Sequence, residues 1–309
     1  MNLERKLEAT IKDSVRKSLK GVKRPFGLLL SGGVDSGLLA ALTKPDMVFT
    51  CRFPYWEKYD EFEYSRKVVK HLGLKQEVIE VTKKDITKYL PEALGMYGIS
   101  KHFSLVPLYM LFKRIGEMGY ENVLSGEGPD EYLGGYPSYS FILQEQKLYE
   151  VEELKNYTSA LDSYLGSPEE RFSKILGVPV NEVKKYWGKY KNLLSKMGYA
   201  DLNLRKIEEM ELALAEGFGV NLIYPYINKS MAKLCFEGIP DELKIKGFTT
   251  KYILKKVAEK YLPKSVVWRK NKMGGPVAPI GLWLKEKNEF SKDKYIAEQY
   301  KLLRHKLWN

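Results

Sequence analysis

Ser31-Gly32-Gly33-Val34-Asp35-Ser36 follows an apolar run, Gly27-Leu28-Leu29-Leu30, and leads into helical patterning over residues 34–42. The order is strand, glycine-rich turn, helix: the opening of a βα unit. Glycines let a backbone approach a phosphate with no Cβ in the way. Successive N–H groups at the start of a helix form an anion cradle. Ser31 and Ser36 add two hydroxyl donors. Asp35 offers a carboxylate suited to magnesium, a hard cation that prefers oxygen. A plain βα turn would share the glycines, but the whole string in this context points to phosphate binding. It is not a Walker A loop, because no G-x-x-x-x-G-K-[ST] occurs, nor a dinucleotide fingerprint, because no G-x-G-x-x-G occurs.

Outward from this loop the βα pattern repeats. Residues 1–22 read as an amphipathic helix, with Leu3, Leu7, Ile11, Val15 and Leu19 at helical spacing. Residues 47–53 and 77–81 read as strands, residues 60–72 as a helix ended by Gly73, and residues 107–118 as a helix ended by Gly119. Residues 121–124 read as a short fourth strand running into a second glycine-rich loop over 125–135. Strands alternating with helices predict an α/β fold with a doubly wound parallel sheet. Ligands of such sheets bind at the carboxyl ends of the strands, where both loops fall. Residues 140–220 read as mainly helical. The expected organisation is therefore a nucleotide-binding α/β core over 1–136 and a mainly helical part over 137–309 that packs on it and completes the active site.

The bulk numbers narrow the class. In 309 residues, 44% are hydrophobic and 13% aromatic, which is ample for a packed core. The first residues are charged, with no apolar stretch of a signal peptide, and no run is long and apolar enough to span a membrane. A soluble cytoplasmic protein is expected. Two distant cysteines, Cys51 and Cys235, exclude a disulfide framework or a paired metal or redox motif. The histidines, His71, His102 and His305, have no metal-ligand spacing. The net charge of +12 fits a polyanion such as ATP as well as nucleic acid, and the lysines are interspersed with glutamates rather than blocked.

The second loop reads Leu124-Ser125-Gly126-Glu127-Gly128-Pro129-Asp130-Glu131-Tyr132-Leu133-Gly134-Gly135-Tyr136. Its three carboxylates follow an apolar strand on the side where Asp35 is expected. Asp35 and Asp130 make a sensible pair for bridging magnesium to a triphosphate. An acidic surface tip is the bland alternative.

The first string resembles the PP-loop of ATP pyrophosphatases, which holds the β and γ phosphates that leave together. With the second loop it resembles the synthetase domain of the asparagine synthetase family, a relative of β-lactam synthetase. Tyr59-Asp60-Glu61, residues 64–73 and residues 251–269 are similar to further parts of that domain. The resemblance implies roles for single residues. Leu30 and Cys51 match strand-end positions at the nucleotide, and Ser125 and Gly126 match a further contact to it. Ser31 to Ser36 match the pyrophosphate loop, and Asp35 and Asp130 match the magnesium ligands. Glu127 matches a catalytic-site carboxylate. Lys251 matches the lysine that stabilises charge during adenylation and acyl transfer. Arg269, Lys270 and Lys272 lie where the family has a basic pair; they touch phosphate or only cap a helix. The implied activity is an AMP-forming amide ligase using ATP and Mg2+ on a small-molecule carboxylate, with aspartate the default acid.

Departures from the family bear on the details. Only one helix precedes the loop and position 2 is Asn, so glutamine hydrolysis by this chain is not expected. Nitrogen is expected from free ammonia, a separate glutaminase subunit, or an amine on another substrate. Asn221, Ile223 and Asn228 are neutral where the family carries charges, which means a swapped structural ion pair or a different acid. Lys255 stands where the family usually has arginine. Two other readings stay open. One is a tRNA-modifying PP-loop enzyme, favoured by the basic charge and disfavoured by isolated cysteines. The other is an ATP-binding regulator without catalysis, disfavoured by retention of Glu127 and Lys251.

Overall fold

A computed structural model of the chain describes residues 2–54, 60–100, 102–148, 151, 166–205, 207–269 and 299. In chain order the elements are α1 (Leu3–Ser18), β1 (Phe26–Leu29), α2 (Val34–Thr43), β2 (Met47–Arg52), α3 (Phe62–Leu72), β3 (Gln76–Glu80), α4 (Lys83–Tyr97), α5 (Leu105–Glu117) and β4 (Asn122–Leu124). There follow α6 (Pro129–Leu133), α7 (Pro137–Leu148), α8 (Pro168–Leu176), α9 (Val180–Trp187), α10 (Leu193–Leu204), α11 (Ile207–Gly217) and β5 (Asn221–Ile223). The last described elements are α12 (Lys229–Lys233), a π-helical turn (Leu234–Gly238), α13 (Asp241–Lys244), α14 (Tyr252–Ala258) and α15 (Lys264–Val267).

The chain divides into two compact units. One, the sheet unit, takes residues 18–126, 207–223 and those from 261 onward. Its five strands run parallel in the order β3-β2-β1-β4-β5. This is the doubly wound parallel sheet that the alternating pattern predicts. The chain moves outward from β1 through β2 to β3 and then returns to the other side of β1 as β4. The strand order therefore switches between β1 and β4, where parallel sheets bind ligands. Strand positions are apolar because helices cover both faces. Leu28, Val48, Phe49 and Val123 are essentially fully buried, each contributing about 1.5–3 kcal/mol of hydrophobic stabilisation.

Two elements of this unit escape sequence reading. Helix α4 contains Pro91, a residue that usually ends a helix. A capping box starts it nonetheless: Thr82 accepts from the Asp85 N–H and the Asp85 carboxylate accepts from the Thr82 N–H. Strand β5 has only three residues, too few for a period to show. It pairs with β4 by register Asn122↔Asn221, and the Asn221 amide donates to Asn122 Oδ1 at 2.9 Å. Helix α3 begins two residues later than the pattern suggests, because the Asp60 carboxylate accepts from the Phe62 N–H at 3.2 Å and so stays outside it.

The other, helical unit takes residues 1–17, 127–206 and 224–260. Its core joins Tyr139, Phe172, Val183, Leu194 and Met197 from four helices with Ile245, just past α13. Helix α1 buries Leu7, Ile11 and Val15, the stripe its spacing predicts. Lys270, Lys272 and His305 lie outside the described residues. Among the described residues no helix is long and apolar enough to cross a membrane.

Candidate active site

The sheet unit holds the first loop. Leu30, buried at the end of β1, donates its N–H to the Phe49 carbonyl at 2.8 Å, and its own carbonyl accepts from the Thr50 hydroxyl at 2.8 Å. The chain then turns through Gly32, whose φ of +76° favours glycine. A Cβ there would lie 2.6 Å from the Ser65 backbone nitrogen, so the loop rests directly on the first turn of α3. Gly33 caps α2 without a side-chain bond. The orphan N–H groups of the first turn are thus left to other acceptors. Ser31 and Ser36 face each other with hydroxyls 3.2 Å apart, and Ser31 Oγ also accepts from the Gly33 N–H at 3.3 Å. Asp35 is buried in the first turn of α2, where a helix dipole favours a carboxylate.

Strand β4 leads into the second loop, whose first two residues, Ser125 and Gly126, belong to the same unit. A Cβ on Gly126 would sit 3.0 Å from the Ser36 backbone nitrogen, so Gly126 packs directly on the start of α2. Ser125 is buried; its N–H donates to the Ile223 carbonyl at 2.9 Å and its hydroxyl to Glu211 at 3.4 Å. Leu30, Ser31, Gly32, Gly33, Ser125 and Gly126 therefore lie at the carboxyl ends of β1 and β4 or in the turns just after them, and Asp35 and Ser36 in the first turn of α2. Cys51 sits near the end of β2 with its thiol 3.6 Å from the Pro107 carbonyl. Desolvation pushes that thiol up to about 12, the direction that keeps it protonated and unreactive.

Glu127, Asp130 and Lys251 belong to the helical unit. Glu127 is half-buried. Asp130 is in the first turn of α6, which starts at Pro129 and ends at Gly134 in left-handed geometry. The Asp130 carboxylate lies flat against Gly135, where any Cβ would overlap it. Lys251 is 1% exposed, and its ammonium meets Asp130 Oδ1 at 2.6 Å. Its backbone is left-handed, φ 50° and ψ 38°, a conformation that costs a non-glycine residue about 1–2 kcal/mol. Strained backbone of this kind persists where the surroundings over-determine it, and it clusters at functional sites. The turn before it is closed by Lys246 and Thr249, which exchange N–H to carbonyl bonds at 3.0 and 2.9 Å.

Beneath Asp130 is a buried polar network that the sequence did not announce. Tyr136 donates its hydroxyl to Glu131 at 2.5 Å, and Tyr139 donates to Asp201 at 2.6 Å. Arg205 pairs with Asp201 at 2.7 Å and stacks on the Tyr136 ring at 4.3 Å. Burial, with the Asp201 and Asp130 carboxylates nearby, pushes the Glu131 carboxyl up to about 8. Burial thus favours the protonated, neutral form of this carboxyl. The one signal for this network was Asp201 and Arg205 at i,i+4 on a helix.

The neutral replacements have structural roles. Asn228 caps α12, accepting from the Ser230 and Met231 N–H groups at 3.0 Å each, and donates to the Ser14 hydroxyl at 2.6 Å. Ile223 supplies the carbonyl that holds Ser125.

Among the described residues no cluster of three or more His, Cys, Asp or Glu is placed to hold a metal by protein ligands alone. Asp35 in the sheet unit and Asp130 in the helical unit each carry a carboxylate, the hard oxygen donor that magnesium prefers.

The asparagine synthase family model matches residues 6–304. The chain is similar to glutamine-hydrolyzing asparagine synthetase 1 of Bacillus subtilis, with 28% identity over 364 residues, covering 97% of this chain and 55% of that protein. It is also similar to glutamine-hydrolyzing asparagine synthetase B of Escherichia coli, with 25% identity over 282 residues, covering 85% of this chain and 43% of that protein. The chain thus spans about half the length of these curated relatives.

Proposed function

This chain belongs to the asparagine synthase family, and from that premise we propose that it is an AMP-forming carbon–nitrogen ligase, with aspartate as the acid and ammonia as the nitrogen donor. The observation that carries the proposal is the loop 31–36 at the switch point of the sheet, with paired hydroxyls and a helix start whose cap leaves its N–H groups to other acceptors. Such a loop suits two linked phosphates that depart as one group.

In the proposed reaction a carboxylate oxygen attacks the α phosphorus of ATP. The bond from that phosphorus to the bridging oxygen breaks, and pyrophosphate leaves. The nitrogen lone pair then attacks the acyl carbon, the bond to AMP breaks, and the nitrogen gives up a proton. Ser31 to Ser36 hold the departing pyrophosphate, and Leu30, Cys51, Ser125 and Gly126 line the nucleotide. Asp35 and Asp130 are the carboxylates for magnesium, which when bound neutralises phosphate charge. Lys251 stabilises the negative charge that builds on the α phosphate, electrostatic catalysis of the oxyanion-hole kind. Glu127 is the carboxylate proposed to take the proton from nitrogen.

Nucleotide products with Mg-ATP, aspartate and ammonia test the proposal. AMP, pyrophosphate and asparagine are expected. AMP formed only with another acid keeps the chemistry and changes the substrate. ADP as product overturns the reading, and tight ATP binding without turnover leaves a regulator.

A further inference from the structure

Arg269 lies beyond α15 and has no part in the reaction as proposed. Its side chain is only 4% exposed. One guanidinium nitrogen, Nη2, donates to Glu61 Oε1 at 2.6 Å, and the guanidinium lies 4.5 Å from the centre of the Tyr64 ring. The other terminal nitrogen, Nη1, is buried and has no hydrogen-bond partner among the described residues. Arginine stays charged in proteins, and a buried donor without an acceptor calls for an explanation. The surroundings supply one. Tyr64 and Ser65 are the residues on which Gly32 rests: a Cβ on Gly32 would lie 3.0 Å from the Tyr64 Cβ. The guanidinium is thus a single side chain removed from the phosphate loop, within the same unit. Guanidinium groups stack on aromatic rings and present a fork that matches phosphate oxygens.

We propose that Arg269 is a pyrophosphate-binding residue, its Nη1 donating to an anionic oxygen of the phosphates carried by loop 31–36 while Glu61 and Tyr64 hold the guanidinium in place. The inference rests on the phosphate-loop reading and extends it to a residue over 230 positions downstream of the loop. Glu61 takes up one arm of the fork, which leaves the other directed by its partners instead of by solvent.

The test is calorimetric titration of the full chain, in the presence of magnesium, with inorganic pyrophosphate and separately with AMP. Arg269→Gln is expected to weaken pyrophosphate by about tenfold or more, the loss of one charge-assisted hydrogen bond, and to leave AMP affinity unchanged. Should Arg269→Gln not fold, Arg269→Lys retains a cation for Glu61 and Tyr64, and it is expected to show the same selective loss. Parallel weakening of both ligands would make Arg269 a mere clamp on α3 and overturn the proposal. Equal pyrophosphate binding by wild type and variant overturns it alone. A wild type that binds no pyrophosphate and no ATP sinks the phosphate-loop reading as well.

Discussion

Lys244 and Lys251 stand seven positions apart in the helical unit, and both are essentially buried, at 0% and 1% exposure. Their surroundings differ. Lys244 ends α13 in ordinary backbone geometry and donates to the Ser195 hydroxyl at 2.7 Å, with the Asp241 carboxylate no closer than 3.5 Å. Burial depresses its pKa, and Asp241 only partly offsets that. The Ser195 hydroxyl passes the bond on to the Phe236 carbonyl at 2.9 Å, so the chain of bonds ends on backbone. Lys251 instead faces Asp130, a carboxylate 19% exposed, from a left-handed residue. Burial alone therefore does not distinguish a working lysine. The partners differ: one lysine props a helix junction through Ser195, while the other pairs with a partly exposed carboxylate, as expected if Lys251 is the working one we propose.

The sharpest way to break the contrast is Lys251→Ala. It is expected to lower kcat by about 10²–10³-fold, the scale of one lost transition-state donor, in a rapid-quench assay of AMP formation. If turnover survived, Lys251 would rank with Lys244 as a structural residue. Next comes Gly135→Ala. Its methyl must displace the Asp130 carboxylate, an overpacking cost of about 1–3 kcal/mol. Thermal unfolding should record that loss, and the KM for Mg-ATP should rise if Asp130 serves the metal. Ser195→Ala is expected to cost about 1–3 kcal/mol by leaving the Lys244 ammonium short of a partner, with kcat unchanged. A fall in kcat there would erase the distinction between the two lysines.

The smallest effect is a pH slope. Because the folded state depresses the pKa of Lys244, the unfolded chain binds more protons between that lowered value and the ordinary 10.5. Stability contributed by this group therefore rises as pH climbs through that window, and it is at its least below the folded value. Lys244→Met should lose that rise. Urea melts of both proteins from pH 7 upward are the check, and parallel curves would show Lys244 to be no more perturbed than an exposed lysine.

The first loop was legible for a local reason. Gly32, the two serines and Asp35 announce a loop because turn geometry and phosphate approach depend on neighbours in sequence. The sheet was legible through alternation of strand and helix, apart from the three residues of β5 and the helix interrupted by Pro91. The Glu131, Tyr136, Tyr139, Asp201 and Arg205 network was not legible, because its members meet only when α6, α7 and α10 pack. Nor did the neutral Asn228 disclose that it caps a helix and holds Ser14, a residue 214 positions away.

By itself, then, the sequence determined the strand–loop–helix units, the parallel sheet they imply and the family, since hydrophobic period and glycine placement are written in short windows. Only the tertiary structure decided which buried lysine faces Asp130, that Gly135 is pressed against it, and what Arg269 approaches. Those contacts depend on residues brought together from separate parts of the chain, and their energies arise from desolvation and close packing, which exist only once the chain has folded.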